Sequence, residues 1–454
     1  MTASKSKKNK YEIDMCNGTV LDKLISFSIP LMLSSILQLL FNAVDIVVVG
    51  RFSGSRALAA VGSTTALINV FTNLFIGVSL GANVLAARFY ATKQEKQMSE
   101  TVHTAVTFAL ISGIVMVFVG LFFSKAALLL MDTPSDVIGQ SALYMRIYFA
   151  GMPFFMLYNY GAAILRAVGD TKRPLFFLII AGIVNAALNL FLVIVLHLGV
   201  AGAIATVIAQ MISCLLVLRC LYRSDGSYQL RFSAMTIKWI YLKQIFQVGI
   251  PAGIQSTVIN FSNVLLQSSV NSFGSIAMAG YTAANNIFGF LYAAANSITQ
   301  ACMSFTSQNY GAGKWKRMDK VLRNCILLSV VVSLILGGGS YLFGPELLKI
   351  YTSDPKVIQC GMEILLYTTV TYFMCGLMDL FPGALRGMGY SAIPMLLSII
   401  GTVGTRIVWI FMIFPRHRSL DVLFISYPAS WLITIILQVI CYFFVRKRIH
   451  NPLP

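Results

Sequence analysis

Long apolar runs alternate with short polar breaks along the whole chain. Twelve runs stand out, at approximately 24–50, 57–87, 101–131, 142–165, 174–196, 200–218, 244–271, 277–307, 321–351, 361–385, 394–414 and 421–445. A helix needs about 20 apolar residues to cross the hydrocarbon core of a bilayer. These runs are too long and too evenly apolar for the alternating strands of a membrane barrel. The pattern therefore predicts an all-α integral membrane protein with twelve transmembrane helices.

The pattern also repeats. "SIPLMLSSILQLLFNAVDIVVVGRFSGSRALAAVG" (28–62) aligns with "GIPAGIQSTVINFSNVLLQSSVNSFGSIAMAGYT" (249–282), and "AILRAVGDTKRPLFF" (163–177) with "GALRGMGYSAIPMLL" (383–397). Arg166/Arg386, Gly169/Gly389 and Pro174/Pro394 keep a constant offset of 220 residues. Two six-helix halves of equal orientation are parallel repeats, an arrangement typical of secondary transporters, with a central cavity between halves that rock. The expected organisation is a basic tail (1–23), an N-lobe (24–222), a polar linker (223–243), a C-lobe (244–445) and a short tail (446–454).

Charge sets the orientation. The 454 residues are 57% hydrophobic and 11% charged, with a formal net charge of +18. With the N-terminus inside, 25 Lys and Arg fall on inner segments and 8 on outer ones. That is the positive-inside bias. It predicts cytoplasmic termini in a multi-pass membrane protein, and it assigns the basic surplus to anionic lipid, not nucleic acid. "KSKKNK" at 5–10 is read as a basic tail, not a signal peptide, because the apolar run after it is span-length. The eight cysteines show no metal or disulfide spacing. "GAGKWKR" at 311–317 lacks the earlier glycine and the Ser/Thr of a phosphate loop. No catalytic constellation is visible, so an enzyme is not expected. No cofactor is expected either, and transport energy would come from an ion gradient unless another chain supplies ATP hydrolysis.

One carboxylate, Asp45, lies about 7 Å inside the outer end of the first run, counted at 1.5 Å per residue. A charge at the centre of a spanning helix costs at least ~2.5–3.5 kcal/mol, so an acid in a span asks for a role. It either pairs with Arg51 or Arg56 or forms part of a site. Gln38 and Phe41 share its helical face. Asn185 and Asn189 lie one turn apart in the fifth run, and Asn189 and Thr206 fall at about the same depth as Asp45. A carboxylate, amide carbonyls and a hydroxyl are a hard oxygen set suited to Na⁺ or to holding a titratable acid. In the second half, Asp379 lies seven residues before Arg386, and its repeat equivalent is Asn159. Arg406 sits mid-span in the next run, and Asp379 with Arg406 is read either as a gating or coupling pair or as a structural ion pair. Gln255, Asn260 and Asn263 form an uncharged polar stripe that either joins helices or, with Gln38, Phe41 and Asn159, lines a substrate path. "GVSLG" at 77–81 is a small-xxx-small pattern of close helix packing.

"VDIVVVGRFSGSRALAAVG", "LRAVGDTKRP", "GVAGAIATVIAQ" and "LRGMG", in this order and spacing, resemble the multidrug and toxic compound extrusion (MATE) transporters of bacteria over residues 20–445. The resemblance implies antiport: a cationic or amphipathic drug leaves while Na⁺ or H⁺ enters, and a monomer is expected. It also implies that the coupling ion binds at the first-span acid and the polar groups of spans five and six. Many relatives have a second acid in span five, where this chain has Asn189. The rival is a flippase for lipid-linked oligosaccharides, which should line its cavity with several cations for phosphate; only Arg406 and Arg146 come into question here. A channel or scaffold is a further, less favoured class.

Overall fold

A computed structural model describes residues 11–131 and 133–450. Among them the chain is helical and contains no strand. The helices are α1 (Leu21–Ala91), α2 (Glu95–Leu130), α3 (Ile138–Ala150), α4 (Met152–Ala167), α5 (Lys172–Leu190), α6 (Ala203–Tyr222), α7 (Trp239–Asn271), α8 (Ser275–Gly311), α9 (Trp315–Leu342), α10 (Gly344–Lys349), α11 (Pro355–Thr369), α12 (Tyr372–Gly387), α13 (Ala392–Ser398), α14 (Thr405–Val408) and α15 (Leu420–His450).

Eight helical segments are long and apolar enough to cross a membrane. The bent pair α11–α12, broken by 44°, makes a ninth. Three expected spans are helical but dilute their apolar character: α3–α4 is interrupted at Gly151, and α7 and α8 carry many amides and hydroxyls. With these the helices account for all twelve expected spans. The break expected at 51–56 is absent, because α1 runs unbroken through 71 residues. Its length would exceed 100 Å if straight, at about 1.5 Å per residue, so it holds two crossings, Leu21–Asp45 and Leu67–Ala91. Large apolar side chains point outward: Phe122 is 72% exposed and Leu130 87%. In water such a surface would aggregate; in a bilayer it meets lipid, and the protein is a multi-pass membrane protein.

The chain divides into two compact units. The first comprises residues 1–15 and 29–250, the second 16–28 and 251–454. Both crossovers inside helices fall beside the repeat-equivalent prolines Pro30 and Pro251. A proline in a helix removes one backbone bond and clashes with the preceding turn, so it weakens the helix there.

In the first unit the linker is folded. His103 binds the Ser99 carbonyl through Nδ1 (2.6 Å) and accepts the Arg231 backbone N–H at Nε2 (3.0 Å). Thr104 Oγ1 accepts the Lys238 N–H, and Tyr241 donates to Glu100. These four α2 positions recur every three to four residues and form one face. The segment before α1 is also anchored: the Glu12 carboxylate accepts the phenol O–H groups of Tyr90 (2.7 Å) and Tyr228 (2.6 Å). The "GVSLG" glycines let α1 and α7 touch backbone to backbone. A Cβ on Gly81 would overlap the Ile245 carbonyl, and one on Gly249 would overlap Val78.

In the second unit Phe27 packs edge-on against Phe305, and Lys314 and Arg317 donate to the carbonyls of Cys16, Asn17 and Gly18. The duplication is visible in the backbone as well. Lys93 and Gly313, 220 residues apart, both adopt positive φ (55° and 66°), as do Gly169 and Gly389 (96° and 95°).

Candidate functional site

The strongest polar cluster lies in the first unit. Asp45 comes from α1, Asn185 and Asn189 from one face of α5, and Thr206 from the first turn of α6. Asn189 Nδ2 and Thr206 Oγ1 both donate to the Asp45 carboxylate, the latter at 2.7 Å. Asn185 Nδ2 in turn donates to Thr206 Oγ1 at 3.2 Å. The four residues picked out by depth counting in the sequence thus form one connected network. Asn185 and Asn189 are 3% and 2% exposed.

Both amide nitrogens are used within this network, yet both amide oxygens are left over. Asn185 Oδ1 and Asn189 Oδ1 are buried and make no hydrogen bond among the described residues. Buried acceptors without a donor are uncommon, and each normally has a reason. Here two of them lie beside the one carboxylate of the cluster. Gly202, just before α6, lies close by: a Cβ there would overlap Val193 Cγ2 at 2.5 Å and stand 3.4 Å from Asn189 Oδ1. α5 then ends in a π turn, Phe191–Val195, a distortion that often accompanies functional sites. The alternative pairing of Asp45 with Arg51 or Arg56 involves side chains outside the described residues, as does the basic stretch at 5–10.

Other positions separate by role. The Phe41 ring lies against Gly182 of α5, where any Cβ would overlap it. Gln38 is exposed. Asn159 Nδ2 donates to the Phe155 carbonyl of its own helix (2.8 Å). None of these three touches the carboxylate network among the described contacts.

In the second unit the expected pairing of Asp379 with Arg406 is not found among the described residues. Arg386, seven residues on from Asp379 in α12, donates from Nη2 to Gln255 Oε1 of α7 at 2.6 Å. Seven residues are two helical turns, so the two charges share a face. Arg406 is 3% exposed and held by neutral groups. Its Nη1 donates to Ser262 Oγ (3.2 Å) and Asn263 Oδ1 (2.7 Å), and its Nε to Ser430 Oγ (3.3 Å). Its Cζ lies 4.6 Å from the centre of the Tyr427 ring. Gln255 and Asn263 of the polar stripe therefore serve buried arginines, while Asn260 is exposed. Ser262, Ser430 and Tyr427 escaped the sequence reading because isolated hydroxyls in a span carry no pattern. No group of three or more His, Cys, Asp or Glu is placed to hold a metal among the described residues. None of the eight cysteines forms a disulfide among the described residues.

Duplicated helical halves, lipid-suited surfaces and a half-buried acid among buried amides define a polytopic membrane protein with a polar site within its spans. The MatE family profile matches twice, over residues 30–191 and 251–412, and the chain belongs to that family. It is 29% identical over 433 residues to the probable multidrug resistance protein YoeA of Bacillus subtilis, covering 93% of each chain. It is 25% identical to the probable multidrug resistance protein NorM of Thermotoga maritima, covering 83% of this chain and 82% of that one. The fold is similar to a solved outward-facing multidrug resistance MATE family transporter of the MOP superfamily. That likeness has a TM-score of 0.89 at 20% identity and covers 98% of this chain and 99% of the other.

Proposed function

We propose that the protein is a secondary active antiporter that exports cationic or amphipathic organic compounds in exchange for Na⁺ bound at Asp45. The observation that carries this reading is the pair of buried, unpartnered carbonyl oxygens of Asn185 and Asn189 beside the carboxylate. A proton arriving at Asp45 would supply a single O–H, which can satisfy at most one of the two oxygens after an amide turns. A hard monovalent cation is bound by carboxylate, carbonyl and hydroxyl oxygens together. The set of Asp45, Asn185, Asn189 and Thr206 supplies all three kinds.

In this mechanism Na⁺ neutralises Asp45 and competes with its two donors. The Asn189 amide and the Thr206 hydroxyl turn their oxygens to the ion, which draws α5 and α6 onto α1 within the first unit. Relaxation of the same contacts on Na⁺ release changes which side of the membrane reaches the substrate path, with alternating access through movement of the two units. Binding of the organic cation and of Na⁺ would then exclude one another, since a single carboxylate cannot neutralise both. The charge bias along the chain supports cytoplasmic termini in the bacterial cytoplasmic membrane.

The test is efflux of a fluorescent organic cation from vesicles holding purified protein, with a Na⁺ or an H⁺ gradient imposed in turn. Export is expected under the Na⁺ gradient and lost in Asp45→Asn. Export driven by H⁺ alone would overturn the choice of ion. Equal export by wild type and Asp45→Asn would overturn the site.

A further inference from the structure

Three arginines gather at the linker end of α6. Arg219 stands in the last turn, Arg223 follows the helix directly, and Arg231 is brought back toward it by the folded linker. The return is pinned. The Leu230 N–H donates to the Leu221 carbonyl (3.1 Å), and the Arg231 N–H is held at His103. The Gln229 amide joins the two stretches of chain. Its Nε2 donates to the Tyr222 carbonyl (3.2 Å), and its Oε1 accepts from Arg231 Nε (3.3 Å). The Arg231 guanidinium is thus one glutamine side chain from the end of α6. All three arginines are exposed, and none forms an ion pair among the described residues. Asp225, the nearest acid along the chain, is exposed and pairs with none of them.

Toward the middle of the span runs an apolar track. Ile204, Ile208, Met211, Leu215, Arg219 and Tyr222 recur every three or four residues, so they share one face of α6. None of the six is buried. At the end of the track the Tyr222 ring stacks on Phe232 of the linker, with centroids 5.7 Å apart. Both rings stay open to their surroundings, at 53% and 57% exposed. Apolar side chains, then aromatic rings, then cations is the order met on passing from the hydrocarbon core to the headgroups. The second unit lacks this array, so the repeated fold does not require it. Counting on 220 residues, Arg219 leads to Val439 and Arg223 to Phe443. The arginine further along that helix, Arg446, is neutralised by both carboxylate oxygens of Asp319 at 2.9 Å. A general bias of charge would be met by cations anywhere at this end of the spans; those on α6 converge and carry no counter-charge.

We infer that the linker end of α6 is a binding site for one anionic phospholipid. Arg219, Arg223 and Arg231 take its phosphate, Tyr222 and Phe232 support the glycerol region, and an acyl chain lies along Leu215, Met211 and Ile208. Planar guanidinium groups match phosphate oxygens through paired, charge-assisted hydrogen bonds. The lipid neutralises three like charges that otherwise repel one another beside the linker, and so it favours the folded course of residues 223–238. By the charge bias along the chain this end of α6 faces the inner leaflet. The site itself rests neither on that orientation nor on the transport reading.

The experiment is native mass spectrometry of the purified protein released from detergent, after titration with phosphatidylglycerol or with phosphatidylcholine of the same chains. Wild type is expected to hold one phosphatidylglycerol at least about tenfold more tightly than the choline lipid, because each basic residue near an anionic lipid contributes about fivefold. Arg219→Gln, Arg223→Gln and Arg231→Gln should each weaken that first lipid about fivefold, and the triple variant should lose the preference. A control with Lys316→Gln, Lys320→Gln and Arg323→Gln removes as much exposed charge from α9 of the second unit and should keep the preference. All six side chains are exposed, so both triple variants are expected to fold. Equal loss in the two triple variants would show diffuse attraction and overturn the site, as would a wild type that binds both lipids alike. Glycerol 3-phosphate that binds wild type as tightly as the whole lipid would overturn the lipid as occupant, since the apolar track would then contribute nothing.

Discussion

Replacing Asp45 by Asn separates the electrostatic role of this side chain from its shape. The amide has the same size, so packing between α1, α5 and α6 is kept. It exchanges one acceptor oxygen for a donating NH₂ group, however, and in wild type both oxygens accept hydrogen bonds, from Asn189 Nδ2 and from Thr206 Oγ1. The Thr206 hydroxyl can rotate to accept, while Asn189 would have to turn its whole amide. The hydrogen bond lost there belongs to the Na⁺-free protein, because the ion displaces both donors, so its loss does not weaken Na⁺ binding. What weakens binding is loss of the one anionic ligand, and Na⁺ affinity should fall by at least about tenfold, the scale of one charge-assisted contact. Stability in the absence of Na⁺ should not fall, because a neutral amide costs less to bury in a span than a carboxylate. The assay is thermal unfolding in detergent across a Na⁺ series, read beside direct binding of radioactive sodium. A ligand at 100 times its dissociation constant stabilises by about 2.7 kcal/mol, so wild type should show a Na⁺-dependent rise in Tm and the variant a flat line. A variant whose Tm still rises with Na⁺ as wild type does would refute the assignment of Asp45 as the ion ligand. A variant that unfolds without Na⁺ would show that the carboxylate is structural.

Three more expectations rest on other parts of the molecule. Thr206→Val keeps the shape but removes the hydroxyl oxygen offered to the ion; Na⁺ affinity in the same binding assay should drop by about tenfold, the scale of one charge-assisted contact. Gly249→Ala drives a methyl into the backbone at Val78, with Gly77 O only 2.9 Å away; overpacking of this kind costs about 1–3 kcal/mol and should lower Tm by several degrees, whereas Gly62→Ala, with open space at that position, should leave Tm unchanged. Glu12→Ala removes the shared acceptor of Tyr90 and Tyr228; hydrogen exchange of residues 11–15 should quicken by tenfold or more at about 1.5–3 kcal/mol per bond, and an unchanged rate would show that the segment is held by other contacts.

The class of fold and the presence of a repeat were legible along the chain. Run length against bilayer thickness gives the spans, and the 220-residue offset gives the repeat; both are one-dimensional quantities that survive into three dimensions. The same holds for Asp45, Asn185, Asn189 and Thr206. Depth along a helix axis follows from counting residues, and polar groups at one depth in neighbouring spans had few other places to go. Rotation about the helix axis is different. It is set by packing against several helices at once, and no count along the chain supplies it. Hence Asp379 and Arg406, which the sequence offers as a possible pair, do not pair among the described residues, and Arg406 donates to Ser262, Asn263 and Ser430 instead. Hence also Phe41, which shares a helical face with Asp45 but packs onto Gly182 of α5. Only the tertiary structure decided which acceptors are left without donors, because a hydrogen-bond ledger closes over all neighbours of a group. That ledger, with both asparagine oxygens open beside one acid and one arginine among neutral partners, distinguishes the two units that the sequence presents as copies.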